Sequence, residues 1–160
     1  MAEKNESDEP SSGLIDAGSG VYIDSSGLAK LYVPEPESEP LDRFLRGRSD
    51  LMISDLCITE VISAVARRRR EGALDAEQAM RIRDAVLSDA RSGSFRLLDL
   101  NPAIHREAER MLLSTDSIAL RTLDALHIGL ALSGEANHVI TFDNRMAEAA
   151  ALQGLKVIAV

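Results

Sequence analysis

Two short apolar runs in this sequence end on a carboxylate. VYID spans residues 21–24 and finishes on Asp24; VITFD spans 139–143 and finishes on Asp143. One aspartate after a strand is an ordinary helix cap. Two of them, in a chain with further acids at unusual positions, point to chemistry. The further acids are Asp124, inside RTLDALHIGLAL (121–132), and Glu60, inside ITEVISAVARRRR (58–70). Four carboxylates gathered in one space repel, because like charges raise one another's pKa and cannot all ionise. A hard divalent cation removes the conflict. Mg²⁺ takes oxygen ligands, keeps several waters and is commonly held by one or two carboxylates plus phosphate. The sequence has no HExxH, no paired cysteines and no histidine cluster, which argues against zinc. It has no GxxxxGK[ST] either, which argues against a P-loop for nucleoside triphosphates.

Whether the four acids can meet depends on the elements that carry them. Residues 21–23, 51–53, 95–98, 139–142 and 157–160 read as short apolar strands. Helices are expected between them. One starts at Ser25, with that serine as its cap. A short one around Leu41, Phe44 and Leu45 follows a loop marked by Pro34, Pro36 and Pro40. A long one is capped by Ser54, runs to about Arg70 and stops at Gly72; the next is capped by Asp75 and runs to about Arg91. Asn101-Pro102 opens another, to about Leu113. Thr122 opens the helix that carries Asp124, to about Ser133; Asp143 caps the last, to about Gln153 before Gly154. Strands alternating with helices predict an α/β fold with a parallel sheet covered on both faces. Right-handed crossovers put every strand's C-terminal end on one edge, where ligands bind in such sheets. Asp24 and Asp143 should therefore emerge together.

Asp124 and Glu60 carry two readings each. In the 121–132 helix, Ala125, Ile128 and Leu132 form one apolar stripe and Leu123, Leu126 and Leu130 a second. Asp124, His127 and Ala131 form a narrow strip between them. A helix apolar nearly all round is buried. A first-turn carboxylate gains about 0.3–1 kcal/mol from the helix dipole. Burying its charge costs several kcal/mol, so Asp124 needs a partner, a metal or simply the backbone amides at the helix start. His127 reads as a structural histidine bonded to backbone or to Asp124. Glu60 projects far from the stripe of Ile58, Val61, Ile62 and Val65, which favours a solvated glutamate. Its helix nevertheless begins at the same sheet edge, less than two turns away.

The bulk properties fit a soluble domain. The chain has 160 residues, enough for one domain with a sizeable core, and no apolar run long enough to span a membrane. No signal peptide is expected. The single cysteine, Cys57, forms no internal disulfide, reads as a buried small hydrophobe, and fits a reducing cytoplasm. Net charge is −8, which argues against gripping nucleic acid by bulk charge. Residues 43–83 depart from this balance, with nine arginines against six acids. Within them Arg67, Arg68, Arg69 and Arg70 read either as a solvated helix end favoured by the dipole or as a phosphate-tracking patch. Lys30 and Tyr32 are expected at the surface and the core edge. Residues 1–20, rich in Ser, Gly and acids, are expected to be a disordered tail or a cloning remnant; residues 21–160 would form the domain.

Four stretches, in order, carry a resemblance. VYIDSSGLAKLYVPEPES, ISDLCITEVISAVARR, LRTLDALHIGLAL and VITFDNRMAEAAALQGLKVI resemble the motifs of PIN-domain ribonucleases, in particular the toxins of type II VapBC toxin–antitoxin systems. The likeness covers nearly all of 21–160, and the combination is specific although any single acid is not. It implies a three-layer α/β/α sandwich with a central, mostly parallel sheet and a Mg²⁺- or Mn²⁺-dependent endoribonuclease. The family's motif acids fall on Asp24, Glu60, Asp124 and Asp143. Asp24 and Asp124 match the principal metal ligands, Glu60 and Asp143 complete the acidic pocket, and Thr141 matches a supporting hydroxyl. Gly27 and Gly129 stand where alanine is common. The resemblance also implies an RNA substrate, a small antitoxin whose arginine reaches the acidic groove, and a homodimer. Two rivals are a PIN fold that binds RNA or protein without cutting, and a receiver-like domain phosphorylated on a strand-end aspartate. The second predicts an acidic pair on the first strand and a late lysine, and Tyr22-Ile23-Asp24 lacks the pair.

Overall fold

Strand β1 (Val21–Ile23) lies at the centre of a five-stranded sheet in the order β3-β2-β1-β4-β5, in a computed structural model that describes residues 20–159. The other strands are β2 (Leu51–Ser54), β3 (Arg96–Leu98), β4 (His138–Ile140) and β5 (Lys156–Ile158). Every pairing is parallel. Val21 stands beside Leu51 on one side and His138 on the other, and Ile23 pairs with Ile140. The ends of β1, β2 and β4 therefore come out level at one edge.

Side-chain alternation along the strands divides the core in two. Val21, Ile23, Leu51, Ile53, Ile140 and Ile158 belong to one buried cluster, with Leu28, Leu41, Ile58, Val61 and Val86 from the helices. Those helices are α1 (Ser25–Ala29), α2 (Ser38–Leu45), α3 (Asp55–Arg70) and α4 (Ala76–Arg91). Tyr22, Met52, Leu98 and Val139 point the other way, against α5 (Pro102–Ser114), α6 (Thr122–Ser133) and α7 (Asn144–Leu152). Helices on both faces of a parallel sheet make the three-layer α/β/α sandwich. Cys57 is fully buried, and burial pushes its thiol pKa well up. Among the described residues no helix is long and apolar enough to cross a membrane.

The caps explain most boundaries. Ser54 accepts from the Cys57 amide at the start of α3, Asp75 forms a reciprocal capping box with Gln78, and Asn101 caps α5 ahead of Pro102. Gly72 and Gly154 follow α3 and α7 with φ of 77° and 85°, the left-handed region that glycine enters without cost. Some expectations are corrected. Asp24, not Ser25, caps α1: its side chain accepts from the Gly27 amide, and Ser25 is already helical. Strand β4 spans His138–Ile140 and ends two residues short of Phe142; Thr141, next in the chain, donates its hydroxyl to Asp24. Strands β3 and β5 begin at Arg96 and Lys156. Residues 1–19 and Val160 of the expected tail and last strand lie outside the described residues. Gly20 belongs to the fold, its carbonyl accepting from the amides of Asn137 and His138.

Candidate active site

At the carboxyl edge of the sheet a cleft of about 410 Å³ is lined by Asp24, Glu60, Asp124 and Asp143 together with Ser26, Arg121, His127 and Met146. Four separate segments deliver the four acids. Asp24 follows β1, Glu60 lies on α3 after β2, Asp124 sits in the first turn of α6, and Asp143 caps α7 after β4.

Asp24 is the most buried of the four, at 3% exposed. Its Oδ1 accepts from Ser26 Oγ at 2.7 Å and the Gly27 amide at 2.8 Å; its Oδ2 accepts from Thr141 Oγ1 at 2.7 Å. Burial raises its carboxyl pKa above the ordinary value, and the bonds from Thr141, Gly27 and Ser26 offset only part of that. Thr141 reaches it because β4 runs beside β1, and the same hydroxyl accepts from the Asp143 amide at 3.1 Å. The supporting position thus links two of the acids.

Glu60 is not the solvated glutamate that helix projection favours. Its side chain is 25% exposed and its Oε2 stands 2.5 Å from His127 Nε2. His127 Nδ1 lies 2.8 Å from the Tyr22 hydroxyl, which lies 2.9 Å from Ser54 Oγ. The donors set the direction of this chain. Ser54 Oγ accepts from the Cys57 amide, and its own proton has only Tyr22 to go to among the described residues. In the arrangement that satisfies this proton, Tyr22 donates to His127 Nδ1 and Nε2–H donates to Glu60. His127 is structural, as expected, but its partners are Tyr22 and Glu60 rather than backbone or Asp124. Glu60 keeps Oε1 without a hydrogen bond among the described residues.

Asp124 takes the plain reading of its position and gains an arginine beside it. Its Oδ2 accepts from the Arg121 amide at 3.2 Å, the plain helix-start role, and the same oxygen stands 3.4 Å from Arg145 Nε. Asp143 Oδ1 caps the amides of Arg145 and Met146 at 2.9 and 3.2 Å, and its Oδ2 is 3.7 Å from Arg145 Nη2. Arg145, which the sequence reading passed over, therefore lies between two acids. Its position two residues after a capping aspartate was the available signal.

The donor set is all oxygen, the chemistry that Mg²⁺ and Mn²⁺ take. Among the described residues no group of three or more His, Cys, Asp or Glu stands close enough to hold an ion between them. The arrangement fits an ion held by one or two carboxylates and water, not a closed protein cage.

A second cleft, of about 420 Å³, shares Ser25, Ser26 and Glu60 with the first or borders them; Arg67, Arg68, Lys30 and Phe142 line it, and Arg69 and Arg70 do not. Arg68 pairs with Glu35 at 2.9 Å. Lys30 is not a free surface lysine: it is 10% exposed, pairs with Glu35 and Glu37 and lies 4.5 Å from the Phe142 ring centre. Tyr32 is part-buried and donates to Asp89.

A family model described as PIN domain matches residues 21–152. The chain belongs to the PIN domain family. The match takes in all four acids. Within this family the chain is similar to ribonuclease VapC46 of Mycobacterium tuberculosis, 34% identical over 141 residues, 87% of this chain and 96% of the relative. It is 30% identical over 145 residues to ribonuclease VapC35 of the same species, again covering 87% and 96%. Solved structures align along most of the chain. PAE2754 of Pyrobaculum aerophilum does so with a TM-score of 0.62 at 25% identity, covering 86% and 90% of the two chains. VapC20 of Mycobacterium tuberculosis, a sarcin-ricin loop cleaving toxin, gives 0.66 at 17% identity over 81% and 95%, which speaks to the fold alone.

Proposed function

We propose that the chain is a metal-dependent endoribonuclease, the toxin of a toxin–antitoxin pair, hydrolysing RNA phosphodiester bonds at the carboxyl edge of its sheet. The observation that carries this is the single cleft lined by Asp24, Glu60, Asp124 and Asp143 from four segments of the chain. The relatives named as ribonucleases support the same class of reaction.

Asp24 and Asp124 would hold Mg²⁺ or Mn²⁺, and Asp143 would complete the site through water. Bound there, the ion would lower the pKa of a water and draw charge from the phosphate. The rest falls to the chain's own side chains. Ser26, Gly27 and Thr141 fix the plane of Asp24. His127 fixes Glu60 at one oxygen, leaving the other to orient water in the cleft. Arg67 and Arg68, on the adjoining cleft, would carry the phosphates that lead to the scissile bond. An antitoxin partner and a homodimer of toxins are part of this reading; the VapBC2 complex of Rickettsia felis, whose chain aligns with a TM-score of 0.61 at 16% identity, is in keeping with the first, and the second rests on the resemblance alone.

The test is cleavage of total RNA by the purified chain with Mg²⁺, with EDTA, and with Asp24→Asn. Cleavage should need the metal, and Asp24→Asn should lower it by at least about a hundredfold, since even outer residues of metal sites cost 10–100-fold. Equal cutting under all three conditions would reject the mechanism. Binding of RNA without cutting under any of them would favour the inert binding module.

A further inference from the structure

Arg145 lies where the acidic cleft has most need of positive charge. Its Nε is 3.4 Å from Asp124 Oδ2 and its Nη2 is 3.7 Å from Asp143 Oδ2. These are charge contacts rather than hydrogen bonds. The buried Nε makes no hydrogen bond among the described residues, although the surface pair of Arg46 and Asp42 closes to 2.8 Å. Arg121, the arginine that lines the cleft, gives Asp124 its backbone amide and forms no ion pair among the described residues. The guanidinium thus neutralises two carboxylates without the bonds that would make it a permanent part of the site.

We propose that Arg145 is an exchangeable counter-ion: it neutralises Asp124, which with Asp24 would hold the divalent ion, and Asp143, which would complete the site through water, and the ion must displace it from them to bind. Arg145 then sets the ion concentration at which the site fills. The proposal rests on the metal-dependent reading above and adds a residue which that reading does not require. Its physical basis is competition between a single diffuse charge on a tether and a compact double charge from solution. Two carboxylates attract either one, but the ion wins only above the concentration fixed by their difference. The long contacts at 3.4 and 3.7 Å keep the cost of leaving low.

The experiment is a direct titration with Mn²⁺, without RNA, of the full chain and of Arg145→Gln, Arg145→Met and Arg145→Lys. Binding is read from the free-ion electron paramagnetic resonance signal, and melting temperature is followed in parallel. Both neutral variants should bind Mn²⁺ about tenfold more tightly than the unaltered chain, and Arg145→Lys should stay near it. Metal-free, the neutral variants should melt lower than the unaltered chain, and Mn²⁺ should raise them by more. Arg145→Met keeps the aliphatic stem, so a packing defect in Arg145→Gln would not decide the matter. Equal or weaker Mn²⁺ binding by both neutral variants, with the unaltered chain still binding, would overturn the counter-ion role and leave the metal-dependent reading standing. No Mn²⁺ uptake by any of the four would overturn both.

Discussion

At the scale of single residues, Asp24 shows how a buried acid can be both a liability and a tool. Three hydrogen bonds orient it, yet burial outweighs them and holds its pKa above the usual carboxylate value. The consequence for stability has a definite sign. Between the ordinary carboxylate pKa, about 4, and the raised folded value, the unfolded chain has released a proton that the folded chain still holds. Stability from this group is complete below that window and is lost as pH rises through it. Asp24→Asn cannot ionise, so in EDTA at neutral pH it should melt above the unaltered chain, by a few degrees. The gap should close towards pH 4. Melts of both proteins across this range test it; a variant less stable by the same margin at every pH would mean that hydrogen bonding outweighs burial. His127 shows the limit of reading residues singly. Its place beside Asp124 on the helix strip is legible in the sequence. Its bonds to Tyr22 and Glu60 are not, because the three residues meet only when β1, α3 and α6 pack together.

At the scale of elements, most of the fold is written in local pattern. Ser54, Asp75, Asn101 and Asp143 cap the helices expected of them, since caps act within three or four residues. The α1 cap was misplaced by one residue because Asp24 serves two purposes, helix start and cleft acid, and Ser25 offers an equally good capping side chain. Glu60 was obscured for the opposite reason: helix projection shows which face is polar but not whether that polar face meets another element. The glycines where alanine is common separate two kinds of packing. A Cβ at Gly27 would stand 2.9 Å from Ile23 Cγ2 and 3.1 Å from Ile140 Cγ2, both methyls of fully buried strand residues. Overpacking there costs about 1–3 kcal/mol against a helix gain of about 1 kcal/mol at most, so Gly27→Ala should destabilise by about 1 kcal/mol. At Gly129 the nearest atom is Ile104 Cγ2 at 3.2 Å, across a helix–helix contact that can give slightly. Gly129→Ala should be neutral or stabilising, by no more than about 0.5 kcal/mol. Urea unfolding of both variants should give this order; the reverse order would place the rigid contact at α5 and α6 instead of at the sheet.

At the scale of the whole molecule, the net charge of −8 sets the problem that an RNA-cutting chain has to solve. Long-range attraction to a polyanion is unfavourable, so under the proposed function binding would come from a local cationic path and from an ion held in the cleft. The four arginines at the end of α3 were legible as a patch, but the sequence gives no reason to distinguish them. The structure does. Arg67 and Arg68 line the cleft next to the acids, with Arg68 already engaged by Glu35; Arg69 and Arg70 lie outside it, exposed at the C-terminal turn, where the helix dipole favours them in any case. Each phosphate contact releases counter-ions and contributes about 0.7 of a unit, for a single strand, to the slope of log affinity against log salt. Arg67→Ala should therefore weaken binding of a labelled single-stranded RNA and reduce that slope by about 0.7, whereas Arg70→Ala should change neither. Fluorescence anisotropy over a KCl series, in EDTA so that the RNA stays whole, measures both. An equal effect of the two substitutions would mean that the helix end acts through its summed charge, and the cleft beside the acids would lose its claim to be the path of the strand.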